Sequence, residues 1–343
     1  MTFVFDGHND ALTREDHAGL GAGRSGGHLD LPRMRAGGMR GGIFAVFTPS
    51  SEEDEWVPVP RTDGVVEIEY AQPVSQPAAA ADGMGAAGRL LALERAGLVR
   101  VARRIDDVDA AFAASGGPPV AVLHLEGAEA IDVELEALET WYAAGLRSLG
   151  LVWSRTNAFG SGVPFVFPSS PDTGPGLTDA GRALVARCAE LGVMVDLAHL
   201  NAAGFWDVAG LGVGPLVVSH AGVHKLSPCS RNLTDAQLDA VGDSGGLVGI
   251  VFACAFLRED FADDADTPLG VIAAHARYAA DRIGVEHVGL GSDFDGTLIP
   301  AELGDVSGLP RVLEALREAG FGDDELELIA WRNWRRVLAA WWH

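Results

Sequence analysis

A single (β/α)8 barrel of the TIM type is the fold this 343-residue sequence predicts, and three observations predict it. Apolar runs of strand length recur eight times along the chain. Helical patterns fill the intervals between them. Residues able to ligate a metal stand just past several of the runs. Strand–helix alternation on this scale is the signature of a parallel barrel with its chemistry at the C-terminal ends of the strands. A doubly wound open sheet shares the alternation and is the competing architecture.

In order, the strand candidates are Phe3–Phe5, Ile43–Phe47, Val120–Leu125, Leu146–Val152, Val193–Leu197, Leu216–Val218, Leu247–Phe252 and Val288–Leu290. Both faces of a barrel strand are covered, so such strands read as continuous apolar runs. Helices are expected at Val133–Ala144, Thr178–Leu191, Leu269–Ile283, Leu309–Ala319 and Asp323–Trp341. Thr178 and Thr234 are placed as N-caps, and Gly145 and Gly192 stand where helix-ending glycines belong. Ser50–Asp82, rich in Pro, Ala and acids, reads as a long excursion after the second strand that covers part of the barrel mouth. Its Ala78–Ala81 run opens a helix continuing to Ala96. Trp331, Trp334, Trp341 and Trp342 fall at helical spacing and read as a packing stripe.

Composition narrows the function. A formal charge of −23 disfavours nucleic acid and anionic membranes as partners. No apolar run is long enough to span a bilayer, and Met1 leads straight into the first strand without a signal-peptide pattern. Cys188, Cys229 and Cys254 are odd in number and scattered, which argues against a disulfide framework and for a cytoplasmic protein.

The first strand runs into His8-Asn9-Asp10. Alternation along an extended chain points His8 and Asp10 the same way, which makes half a site for a divalent metal. The third strand ends in Glu126, the fifth in His199, the sixth in His220 and the eighth in Asp293. His-x-Asp alone is weak; the joint pattern is a metal site. Two imidazoles on neighbouring strands, a His-x-Asp pair and a carboxylate between them in barrel order point to two metals. Lys225 is the only lysine and lies in a loop, so Glu126 is left as the bridge. Imidazoles with carboxylates suit zinc best. His124 and Asp6, one step deeper on the same faces, read as supports that orient the ligands. His17, His28, His224, His275, His287 and His343 have no strand-end placement and read as surface or packing residues.

His8-Asn9-Asp10, Leu125-Glu126-Gly127, Asp196-Leu197-Ala198-His199, Ser219-His220, Arg231-Asn232 and Gly291-Ser292-Asp293-Phe294-Asp295-Gly296 together resemble the motifs of the membrane (renal) dipeptidase family, a branch of the amidohydrolase superfamily. The resemblance covers nearly the whole chain. It implies a binuclear zinc dipeptidase, with His8 and Asp10 on one metal, His199 and His220 on the other, and Glu126 on both. It further implies attack by a metal-bridging hydroxide on the peptide carbonyl, with Asp293 as the proton carrier. Arg231 would clamp the C-terminal carboxylate of the dipeptide, a bidentate task suited to guanidinium. Acceptance of a C-terminal D-residue and a homodimeric assembly are implied by the same likeness.

Two positions qualify the transfer. Asp295 shares parity with Asp293, but Asp293 ends the strand and shares a face with Gly289 and Gly291, which are expected to leave room for metal. Asp295 is expected to bind loop amides. On the fourth strand, where several family members carry a histidine that polarises the substrate carbonyl, this chain has Trp153. An indole carries no charge and accepts no hydrogen bond, so Trp153 either shapes the pocket or marks a different substrate. N-acyl amino acids and cyclic amides are the alternative substrates for the same metal centre.

Overall fold

The computed structural model of the protein describes residues 2–50, 58–60, 65–68, 72–113 and 116–342. Eight parallel strands follow one another in sequence order: β1 (Val4–Asn9), β2 (Met39–Phe47), β3 (Val120–Glu126), β4 (Leu146–Gly150), β5 (Met194–Asp196), β6 (Val217–Ala221), β7 (Leu247–Ile250) and β8 (Val288–Leu290). The barrel closes where the loop after β8 meets the end of β1. The Asp10 amide donates to Phe294 O at 2.8 Å, and the Asp293 amide donates to His8 O at 3.0 Å. That closure excludes the open sheet. It also puts the two ends of the predicted site side by side.

β3 is buried along its whole length, His124 and Glu126 included, as a strand covered on both faces must be. Thr178 caps the helix Asp179–Leu191 by accepting from the Gly181 amide at 3.0 Å, and Thr234 caps Asp235–Asp243. Gly145 and Gly192 end their helices in the left-handed conformation, at φ 116° and 69°. The helix opened by the alanine run spans Gln76–Arg95. Leu309–Glu318 and Leu269–Ile283 form as expected. Two expectations change. The helix before Gly145 starts at Glu136, because Leu135 takes φ 64° and breaks the pattern. The C-terminal helix is interrupted: Asp323–Glu327 and Asn333–Trp341 flank a wider π-type turn at Leu328–Arg332.

The tryptophan stripe is packing, and Trp334 shows what it packs against. Its fully buried indole lies against Gly7 of β1, Gly249 of β7 and Gly289 of β8, and Nε1 donates to Leu290 O at 2.9 Å. A Cβ at Gly7 would strike the indole, and one at Gly291 would strike Ser219 O. Gly289 and Gly291 therefore make room for an indole and for neighbouring backbone rather than for metal, correcting that expectation.

Of the excursion Ser50–Asp82, residues 51–57, 61–64 and 69–71 lie outside the described residues, as does His343. The rest contributes Pro58–Pro60 and Val66–Ile68 to a small antiparallel sheet with Phe165–Phe167. Val66 and Ile68 pack on a second apolar cluster built from Trp153, Phe165, Cys229 and Phe261. All three cysteines are free and buried. Among the described residues, no helix is long and apolar enough to cross a membrane.

Candidate metal centre and substrate pocket

Five strand ends deliver His8, Asp10, Glu126, His199, His220 and Asp293 to one buried place. The two oxygens of Glu126 divide the set. Oε2 lies 3.6 Å from His8 Nε2, which is itself 3.6 Å from Asp10 Oδ2. Oε1 lies 3.1 Å from His199 Nε2 and 3.8 Å from His220 Nε2. Asp293 stands with His8 and Asp10, their ligand atoms all within 4.8 Å of one another. Gly296 permits this approach, since a Cβ there would strike both Asp10 and Asp293. His199 and Asp293 are held at φ 64° and 61°, a conformation that non-glycine residues keep only where surroundings impose it.

The imidazole edges show what they face. His199 Nδ1 meets Ser154 Oγ at 2.7 Å and His220 Nδ1 meets Ser219 Oγ at 2.8 Å, which leaves the two Nε2 atoms facing each other 3.0 Å apart. Among the described residues, both nitrogens of fully buried His8 lack a hydrogen-bond partner. Buried polar atoms are normally satisfied. An orphaned imidazole, two converging imidazole edges and a carboxylate split between them fit a pair of divalent cations.

Charge follows the same layout. Burial lowers His199 to about 4, with Arg231 adding to the effect, and lowers His220 well below the usual histidine value. Burial works against a charged His8 as well, but Glu126 and Asp10 outweigh it and raise its pKa well above normal. Burial also opposes the Glu126 carboxylate, yet His8 and His199 hold it well below the usual range. Burial, with Asp10 alongside, pushes Asp293 up to about 8.

Arg231 lies in the loop after β6, only 4% exposed. Nη2 donates to His220 O at 2.9 Å, Nε has no partner, and among the described residues it joins no ion pair. Asn232 fixes its loop by donating to Ser227 O and Phe256 O and accepting from the Gly222 amide. Trp153 sits beside the ligand set, its ring 5.7 Å from that of His199, 5.0 Å from Phe47 and 5.7 Å from Phe165. Phe165 stacks on Phe256, and the Arg231 guanidinium lies 5.9 Å from the Phe256 ring. One side of the site is thus an aromatic wall with two buried guanidiniums, Arg155 paired with Glu129 and Arg231 without an acid partner among the described residues.

Asp295 is occupied elsewhere. It accepts from Arg24 and from the His28 amide, while its own amide donates to His28 Nδ1 at 3.0 Å. His28 is therefore part of the loop that grips the end of β8, a role its sequence position hid. Asp6 also differs from expectation: it holds Ser292 and not His8. His124 bonds Ser148 through Nδ1 and lies 3.7 Å from Asp196 through Nε2. His275 is buried and ties the Val223 amide to Leu257 O. His224 and His287 bond the backbone at Ser169 O and Gly246 O.

No role was assigned from sequence to Ser154, Ser219, Asp196 or the Arg155–Glu129 pair, although Asp196 and Ser219 stand in the motifs quoted above. Arg155 is fully buried, 2.7 Å from Glu129 and 2.7 Å from Thr48 O, and so joins the ends of β2, β3 and β4. Each of these residues sits within three positions of a ligand candidate or of Trp153, the one signal that pointed to them.

The chain matches the family model described as membrane dipeptidase (peptidase family M19) over residues 1–341. Its fold superposes on a metallopeptidase from Rhodobacter sphaeroides, solved with a phosphinate mimic of the dipeptide L-Ala-D-Ala, at TM-score 0.94 and 42% identity over 100% of both chains. The dipeptidase AC, an M19 metallopeptidase, gives TM-score 0.93 and 43% identity over 100% of this chain and 99% of that one. An uncharacterised Acinetobacter calcoaceticus protein encoded in the PQQ-III 3′ region is 36% identical over 289 residues, 82% of this chain and 90% of that protein. The chain belongs to the membrane dipeptidase family, peptidase family M19, and is a metal-dependent dipeptidase, a hydrolase of peptide bonds.

Proposed function

We propose that the chain, as one barrel domain, hydrolyses small dipeptides, including those with a C-terminal D-residue, with two zinc ions. The observation that carries this reading is the division of Glu126 between His8–Asp10 and His199–His220, beside a buried guanidinium with no acid partner among the described residues. His8 and Asp10 would hold one cation, His199 and His220 the other, and Glu126 both. When bound, the cations supply Lewis-acid activation of water and of the scissile carbonyl.

The chain's own groups do the rest. A carboxylate oxygen of Asp293 takes the proton of the nucleophile and returns it to the leaving amine. Its pKa of about 8 belongs to a site without cations; nearby positive charge draws it down towards the working range of such a group. Arg231 pairs with the substrate's C-terminal carboxylate, and its unpartnered Nε leaves donor capacity for that task. Trp153 shapes the pocket and excludes water beside His199; it cannot polarise a carbonyl by charge as a histidinium would.

The Rhodobacter sphaeroides protein, with its bound mimic of L-Ala-D-Ala, supports the choice of substrate and of a D-residue. Zinc-loaded protein should hydrolyse members of a dipeptide panel covering both stereochemistries at each residue. Turnover of N-acyl amino acids or cyclic amides, with none on any dipeptide, would overturn the substrate assignment. Cytoplasmic placement and a homodimer belong to the same reading; light scattering of the purified chain tests the dimer.

A further inference from the structure

Two buried aspartates on barrel strands grip serines in the same way. Asp6 of β1 accepts from the Ser292 amide at 2.8 Å and from Ser292 Oγ at 2.9 Å. Asp196 of β5 accepts from the Ser219 amide at 2.8 Å and from Ser219 Oγ. Each serine immediately precedes a site residue, Asp293 in one case and His220 in the other. The two grips span the β8–β1 seam and the β5–β6 pair, and in both the aspartate also sits two or three positions before a ligand histidine.

They differ in one respect. The other contacts of Ser292 Oγ are to backbone, His8 O at 3.1 Å and the Phe294 amide, which donates to it at 3.0 Å, whereas Ser219 Oγ lies 2.8 Å from His220 Nδ1. A hydroxyl has one proton. Ser219 donates it to Asp196, so its oxygen can only accept from His220. That places a proton on His220 Nδ1 and leaves the lone pair on Nε2, the atom that faces Glu126 and His199. Asp196 is fixed in its acceptor role by the amides of Ser219 and Ala198, the latter at 3.1 Å, and is 2% exposed.

We infer that Asp196 and Ser219 are positioning residues that set the tautomer of His220 through a serine hydroxyl, a lengthened form of the carboxylate–histidine–metal arrangement. The relay rests on the proposed cation site but not on the substrate. Its test is therefore cation affinity, which separates its failure from failure of the dipeptidase reading.

Asp196→Asn is the discriminating variant. An asparagine of the same shape keeps its oxygen on the two amides and turns its NH2 to Ser219. The serine oxygen then accepts from the amide, and its proton points to His220 Nδ1, which forces the proton of neutral His220 onto Nε2. Zinc affinity measured by chelator competition should fall by roughly 10–100-fold for one of the two ions, the usual effect of losing such a partner. The melting temperature of the metal-free protein should change little. Ser219→Ala should weaken the same ion, and Ser219→Thr, which restores the hydroxyl, should recover it. If Asp196→Asn does not fold, the serine pair carries the test alone. Wild-type affinity in Asp196→Asn or Ser219→Ala, failure of Ser219→Thr to recover affinity in a folded protein, or an equal loss of affinity in Asp6→Asn, whose serine touches no imidazole, would overturn the relay.

Discussion

At the residue scale, the assignments of Asp293 and Arg231 rest on what each side chain lacks. Asp293 is buried beside Asp10 with its carboxyl raised to about 8, whereas Asp295 accepts hydrogen bonds from Arg24 and the His28 amide. Asp293→Asn should keep both cations and lose roughly 10²–10⁴-fold in kcat, the contribution of a positioned acid–base group. The same loss in Asp295→Asn, with Asp293→Asn unaffected, would reverse the two roles. Arg231 is buried and lacks an acid partner among the described residues, and a buried charge left unpaired is costly unless a ligand pairs with it. Arg231→Met should lower kcat/KM for a free dipeptide by roughly 10²-fold, about 2.7 kcal/mol. On the same dipeptide amidated at its C-terminus, already a poor substrate, the change should be small. Equal losses on both substrates would place Arg231 outside the carboxylate pocket.

At the element scale, the strand ends aim the ligands and the C-terminal helix supports the strands. Trp334 fills the space left by glycines on β1, β7 and β8, the arc that carries His8, Asp10 and Asp293 at its upper end. Trp334→Ala should destabilise the protein by about 3–5 kcal/mol, read from a denaturation midpoint, because a buried indole leaves a cavity that glycines cannot fill. A cost below about 1 kcal/mol would mean that the strands close without it. The strands themselves were legible because burial on both faces leaves mostly apolar runs, and the ligand candidates because five of the eight runs lead into one. The glycines at 289 and 291 were misread: alternation tells which residues share a face, not what that face packs against. The grips of Asp6 on Ser292 and of Asp196 on Ser219 join residues far apart in the chain, so only strand adjacency reveals them. Arg155, which ties three strand ends together, was hidden for the same reason.

At the scale of the whole molecule, the barrel gathers groups whose protonation resists one another, and cation binding must settle the conflict. Without cations, His8 is held protonated by Glu126 and Asp10 against its burial, and Asp293 retains a proton to about pH 8. His199 is already neutral at pH 7, its pKa lowered by burial and Arg231 to about 4. Zinc uptake at pH 7 should therefore release about two protons per chain, one from His8 and one from the Asp10–Asp293 pair. Affinity should weaken as pH is lowered and strengthen as it is raised, since with the His8 pKa raised protons compete for the imidazole at every pH below that raised value. Calorimetry in buffers of different ionisation enthalpy measures the release. Uptake without proton release would contradict the charge layout.

The most direct test of the account is the zinc content of wild type and Glu126→Ala by elemental analysis after gel filtration. Because Glu126 Oε1 and Oε2 face different histidines, its loss would remove a ligand from both of the proposed cations at once. We expect about two equivalents per chain in wild type and a sharp fall for both ions in the variant. One ion retained by Glu126→Ala as tightly as by wild type would contradict the bridging carboxylate and, with it, the binuclear centre.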